Sequence, residues 1–289
     1  MRWTPGRRSR NIEDRRGQSG MGGGGFPIGR AGMGVGGTLL VLILSLVFGG
    51  DIFSGGGVPV DPTGGTTTAT GEVAPVQETP EEAKLVEFMG FVLDDAQATW
   101  GRIFPQVVGQ PYQETTLVLY RGGTMTACGM GQSAHGPFYC PLDQKVYLDL
   151  DFFSQLDRQF GASGDFAQAY VVAHELGHHV QTLLGTSQQV RQLQQQNPGS
   201  ANELSVRLEL QADCYAGVWG YNARDSLQAG DIEEALTAAS AIGDDRLQQR
   251  SGQGVNPETF THGSAAQRVS WFRRGFERGD PRACDTFGR

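Results

Sequence analysis

Residues 173–181 read Ala-His-Glu-Leu-Gly-His-His-Val-Gln, and the rest of the 289-residue chain is best read outward from them. His174 and His178 are four apart, so on a helix both imidazoles project from one face and can share one metal ion. Glu175 follows the first of them. Its carboxylate sits beside the ion, placed to take a proton from a bound water that the metal has acidified. Leu176 and Val180 are apolar and pack inward, and Gly177 lets another element come close. The pattern around the motif is that of an amphipathic helix from about Asp165 to Leu184, which Gly185 can end.

A catalytic zinc takes three protein ligands and keeps one open position. The chain has five histidines, His135, His174, His178, His179 and His262. Position 181 is Gln and position 184 is Leu, so the extended pattern that adds a third nearby histidine is absent. The third ligand is then a carboxylate or a distant histidine. Glu209-Leu-Gln-Ala-Asp213 lies on the next long helical stretch and presents two carboxylates on one face. One of them can bind the ion while the other accepts the spare N–H of a ligand histidine. His179 points about 100° off the metal face and reads as structural. His135, in a loop, has no assignment.

The flanking pattern is that of an α+β domain. Helical spacing runs over residues 81–104 after Thr79-Pro80, and strands are expected at residues 114–120 and 145–151. Strand Val146–Leu150 is a candidate edge for aligning an extended peptide, or a plain core strand. Capping boxes start helices at Ser200-Ala-Asn-Glu203 and Ser264-Ala-Ala-Gln267, and another helix begins at Asp231 and stops near Gly243. The Gln-rich stretch Ser187–Pro198 reads as a solvated helix end or loop. Four cysteines allow three pairings. Cys128 with Cys140 and Cys214 with Cys284 is the preferred one, closing a local loop and tying a helix to the C-terminus. No C-x2-C spacing exists to favour zinc binding by these thiols.

Composition divides the chain. The net charge is −8, yet residues 1–30 hold seven Arg and two acidic residues, leaving −13 on the remainder. An acidic body of this kind does not bind nucleic acid nonspecifically. Residues 31–50 carry no charge and centre on Thr38-Leu-Leu-Val-Leu-Ile-Leu-Ser-Leu-Val-Phe48, about long enough as a helix to cross a bilayer. A cleaved signal peptide or a buried core helix explains this segment less well than an uncleaved anchor. The arginines before it place residues 1–30 in the cytoplasm and everything after Gly50 outside. Residues 51–79 read as a flexible linker and residues 80–289 as one domain.

H-E-L-G-H-H followed by E-x-x-A-D resembles the gluzincin class of zincin metallopeptidases. Residues 80–289, with Gly-Pro-Phe-Tyr-Cys-Pro-Leu-Asp at 136–143 and Thr-His-Gly-Ser-Ala-Ala-Gln-Arg at 261–268, more specifically resemble the bacterial putative neutral zinc metallopeptidase family, as does the Arg-rich head before a membrane segment. The resemblance implies a zincin-like domain with a small sheet, preceded by one transmembrane helix. It implies one Zn2+ held by His174, His178 and Glu209, with Glu175 as base. His262 resembles a residue that steadies the oxyanion, although a surface helix-start role is as consistent with its position. Arg268 is expected to pair with Asp213 or Glu209. The expected function is a membrane-anchored, extracytoplasmic zinc peptidase acting on peptides or unfolded proteins in the bacterial inner membrane. The rival reading is a noncatalytic zinc-bound scaffold that binds protein partners at the envelope.

Overall fold

The computed structural model describes residues 1–18, 76–132, 136–252 and 254–288. The apolar run 31–50, most of the linker and His135 lie outside the described residues. Among those described, no helix is long and apolar enough to cross a membrane.

Helix α1 (Pro80–Val108) starts where Thr79 accepts a hydrogen bond from the Glu82 N–H, with Pro80 in its first turn, and stops at left-handed Gly109. Phe88, Val92, Ala96 and Trp100 recur at helical spacing on its buried face. The main sheet has the order β1-β2-β6-β5, from Ile12–Asp14, Thr116–Tyr120, Lys145–Asp149 and Phe138–Cys140. The first three strands are parallel, and β5 runs antiparallel to β6 with Phe138 opposite Tyr147. Strands β3 (Gly123–Thr126) and β4 (Gly129–Gln132) form a separate hairpin, tied to β5 by the disulfide Cys128–Cys140.

Helices α2 (Asp151–Phe160), α3 (Asp165–Leu183), α4 (Thr186–Gln196), α5 (Ala201–Asn222), α6 (Asp231–Ala241), α7 (Asp244–Arg250) and α8 (Ala265–Arg278) follow. The motif helix α3 is not amphipathic as its pattern suggests. Fourteen of its 19 residues are buried, because the sheet, α1, α5 and α6 surround it. Two close approaches set its neighbours. A Cβ on Gly177 would lie 2.9 Å from the Ala212 backbone of α5, and one on Gly275 of α8 would lie 1.9 Å from the Cys214 carbonyl. The three helices that carry the motif, Glu209 and Arg268 thus pack backbone to backbone. Cys214–Cys284 fastens α5 to the C-terminal segment.

Several expectations change. Of the two readings of Val146–Leu150 the core strand holds and the edge does not: β6 lies inside the sheet, between β2 and β5, and β5 is at an edge among the described residues. Ser264 and Gln267 form their capping box, whereas Ser200 makes no capping bond: its hydroxyl accepts from Asn197, and Glu203 turns to Arg207. The Gln-rich stretch is helix α4, with Val190 and Gln194 buried.

The largest change concerns the head, which packs on the body rather than forming a segment apart. Strand β1 pairs with β2, and Trp3 lies 5.2 Å from Phe88 between ring centres. The Arg16 side chain is fully buried in ion pairs with Asp14, Glu78 and Glu82. Residues 1–18 thus contact the body across a long gap in sequence. The physical reason is charge pairing across a long sequence gap, which local composition does not reveal.

Candidate active site

One turn of α3 separates His174 from His178, and both imidazole Nε2 atoms face the Glu209 carboxylate of α5. The distances are 3.2 Å from His174 to Oε2 and 3.4 Å from His178 to Oε1. These three residues could hold a metal ion, their ligand atoms all lying within 4.8 Å of one another. A tetrahedral zinc with bonds of about 2.0–2.2 Å separates its ligands by about 3.4 Å, so the spacing and the two-imidazole, one-carboxylate donor set fit that ion.

The far side of each ring is also held. The His174 Nδ1 lies 2.8 Å from Asp213 Oδ1, and the His178 Nδ1 lies 2.9 Å from Gln181 Oε1. Gln181 donates in turn to the Leu208 carbonyl of α5. Asp213, one turn after Glu209, receives two hydrogen bonds from Arg268, from Nε to Oδ2 and from Nη2 to Oδ1, each 2.9 Å. The Tyr170 hydroxyl donates to the same carboxylate at 2.5 Å. Of the two carboxylates left open by sequence, Glu209 faces the shared point and Asp213 backs the histidine. Arg268 pairs with Asp213, while Glu209 lies 4.0 Å from it.

Burial disfavours the charged form of His174, but the Asp213 and Glu209 carboxylates outweigh it and raise its pKa to about 10. The same pairing holds the Glu209 carboxyl well below its ordinary range against its own burial. Glu175 behaves oppositely. Burial pushes its carboxyl up, and the nearby histidines only partly offset the shift.

These residues line a cleft with about 190 Å³ of internal space, walled by β5 and its flanks, α3, α4 and α5. Glu175 and His262 both face it. His262 is 6% exposed, and its Nδ1 lies 3.1 Å from Asp244 Oδ1. The other Asp244 oxygen accepts from the backbone N–H groups of Thr261, His262 and Gly263. The His262 Nε2 has no hydrogen-bond partner among the described residues, leaving one ring nitrogen available to the cleft. His262 is thus a buried cleft residue and not a surface helix start. Asp244 was missed from the sequence because Gly243-Asp-Asp reads simply as a helix boundary. His179 is structural, its ring set between the Tyr139 hydroxyl and the Gln113 carbonyl.

The cysteines form the two expected pairs and take no part in the metal-ligand cluster. The uncharacterised protein YpfJ of Escherichia coli (strain K12) is 50% identical over 302 residues, covering all of this chain and 99% of that protein. The uncharacterised protein Rv2575 of Mycobacterium tuberculosis (strain H37Rv) is 48% identical over 207 residues, covering 67% of this chain and 68% of its own. No solved structure matches. The family described as putative neutral zinc metallopeptidase matches residues 1–287, head, ligand cluster and C-terminal helix included, and this chain belongs to it.

Proposed function

We propose that the protein is a zinc peptidase whose cleft hydrolyses peptide bonds. The observation that carries this reading is the placement of a buried carboxylate, Glu175, in the cleft that His174, His178 and Glu209 line. A structural metal site needs no base beside its first ligand, and a noncatalytic scaffold would not keep one there at the cost of burying it.

Zinc at this site supplies the Lewis acidity that makes water a nucleophile at neutral pH and polarises the scissile carbonyl. Asp213 holds the His174 ring through Nδ1, leaving Nε2 for the ion. Glu175 takes the proton of the attacking water on its carboxylate and passes it to the departing amine. Its raised pKa suits both halves of that transfer. His262, oriented by Asp244, donates from Nε2 to the oxygen that gains charge as the carbonyl is attacked. Strand β5, at an end of the sheet among the described residues and lining the cleft through Phe138 and Tyr139, offers its edge to an extended peptide. The substrate class is therefore a peptide or a locally unfolded protein.

The reading extends to location. Two disulfides favour an oxidising, extracytoplasmic compartment, and the uncharged run 31–50 supplies membrane attachment.

The test compares the full chain with Glu175→Gln for bound zinc and for cleavage of an unfolded protein. One zinc in both, with chelator-sensitive cleavage only in the parent, is expected. Equal cleavage by both would remove Glu175 from the chemistry. Zinc in both with cleavage by neither would favour the scaffold.

A further inference from the structure

Ser187, Arg191 and Gln194 fall on successive turns of α4 and line the cleft wall next to α5. Gln194 is committed to the Ala201 carbonyl and the Ser205 hydroxyl. Arg191 is half-buried, and no hydrogen bond, ion pair or ring contact engages its guanidinium among the described residues. Apolar side chains, among them Phe138, Phe152, Leu208 and Leu247, also line the cleft. The second cleft arginine, Arg268, is already spent on Asp213. Keeping a half-buried cation unpaired is costly, and a ligand carboxylate would relieve that cost with a bidentate, charge-assisted pair.

We propose that Arg191 is a specificity-determining residue that selects peptides with an acidic side chain close to the scissile bond. The proposal rests on the peptidase reading, so its test includes a readout that needs no turnover. Fluorescent peptides differing only by Glu or Gln near the cleavage point are titrated onto zinc-loaded Glu175→Gln protein. They are also compared as substrates of the parent. The Glu peptide should bind roughly tenfold tighter, the scale of one charge-assisted hydrogen bond. The preference should vanish in Glu175→Gln/Arg191→Gln and turn toward a Lys peptide with Arg191→Glu. Equal binding of the Glu and Gln peptides, or a Glu preference that survives Arg191→Gln, overturns the inference. Selective binding without cleavage by the parent would overturn the peptidase reading alone.

The docked head carries an independent inference. Its contacts with the body are too many and too buried to be incidental. Strand β1 extends the sheet, Trp3 packs on Phe88 and Phe91, and Arg16 is enclosed by Asp14, Glu78 and Glu82. Ser9 sits against Gly90 of α1, where a Cβ would come within 3.1 Å of it. Arg8 and Arg15 also pair with acidic residues, so several of the charges that suggest a cytoplasmic signal have partners in the protein itself. A single bilayer crossing between residues 18 and 76 would put these partners on opposite sides.

We infer that residues 1–18 and the described body, residues 76–288, occupy the same side of the membrane. The test uses the full chain in cells, carrying Thr4→Cys or Arg10→Cys in the head or Leu193→Cys in the body, all at exposed positions. A membrane-impermeant maleimide is applied before and after lysis, and two head positions guard against one misfolded variant. Head and body sites should label alike, both in intact cells or both only after lysis. Labelling of one but not the other in intact cells overturns the inference.

Discussion

Asp213 Oδ1 lies 2.8 Å from the Nδ1 of His174, on the side of the ring opposite the nitrogen that meets Glu209. Arg268 and Tyr170 hold that carboxylate from behind, so the imidazole is oriented by a buried network rather than by its own helix. Asp213→Asn keeps the shape and removes the charge. It should weaken zinc affinity by about 10–100-fold with little loss of helical structure, as chelator competition and circular dichroism would show.

The zinc affinity should depend steeply on pH. The ring of His174, beside two carboxylates, keeps its proton up to about 10, and an ion must displace that proton to bind Nε2. Affinity therefore rises with pH below that value, by about tenfold per unit for each proton released. Titration calorimetry in buffers of different ionisation enthalpy counts the protons. A count of zero across pH 6–8 would contradict the assignment.

If His262 donates to the oxyanion as proposed, its loss should appear in kcat. His262→Gln is expected to lower kcat by about 10²–10³-fold with KM nearly unchanged. Asp244→Asn should give a smaller loss, because the ring remains but loses its orientation. A rise in KM alone would instead assign His262 to substrate binding.

The head should be as important to stability as any surface of the body. Replacing Arg16 with Met leaves Asp14, Glu78 and Glu82 facing one another and should cost about 3 kcal/mol, the low end for a buried pair because the carboxylates are partly exposed. Burial raises the carboxyls of Asp14 and Glu82, but their arginine partners win and lower both. A group depressed on folding stabilises above its unfolded pKa and loses that contribution as pH falls through the folded value. The Arg16→Met penalty, measured by thermal melts, should thus be full at pH 7 and shrink below about pH 4.

The legible part of the molecule was local. Histidines at a four-residue spacing, Glu175 between them and two carboxylates on the next helix announce a metal face, because a helix converts sequence interval into direction. The same holds for the capping box at Ser264 and for the strands around Val118 and Tyr147, whose signals are complete within a few residues.

Other features depend on partners far along the chain. The choice of Glu209 over Asp213 for the shared point turns on how α5 packs against Gly177, which brings Asp213 behind His174 and Glu209 in front of it. Asp244 matters because Thr261, His262 and Gly263 return to it, and Arg191 matters because α4 folds against the cleft. The arginine-rich head read as a membrane signal from composition and became part of the sheet once Arg16 met Glu78 and Glu82. By itself, sequence determined which side chains could do chemistry and on which face of each element they stand. Tertiary structure alone decided which of those faces meet, because burial and charge pairing act between residues that only folding makes neighbours.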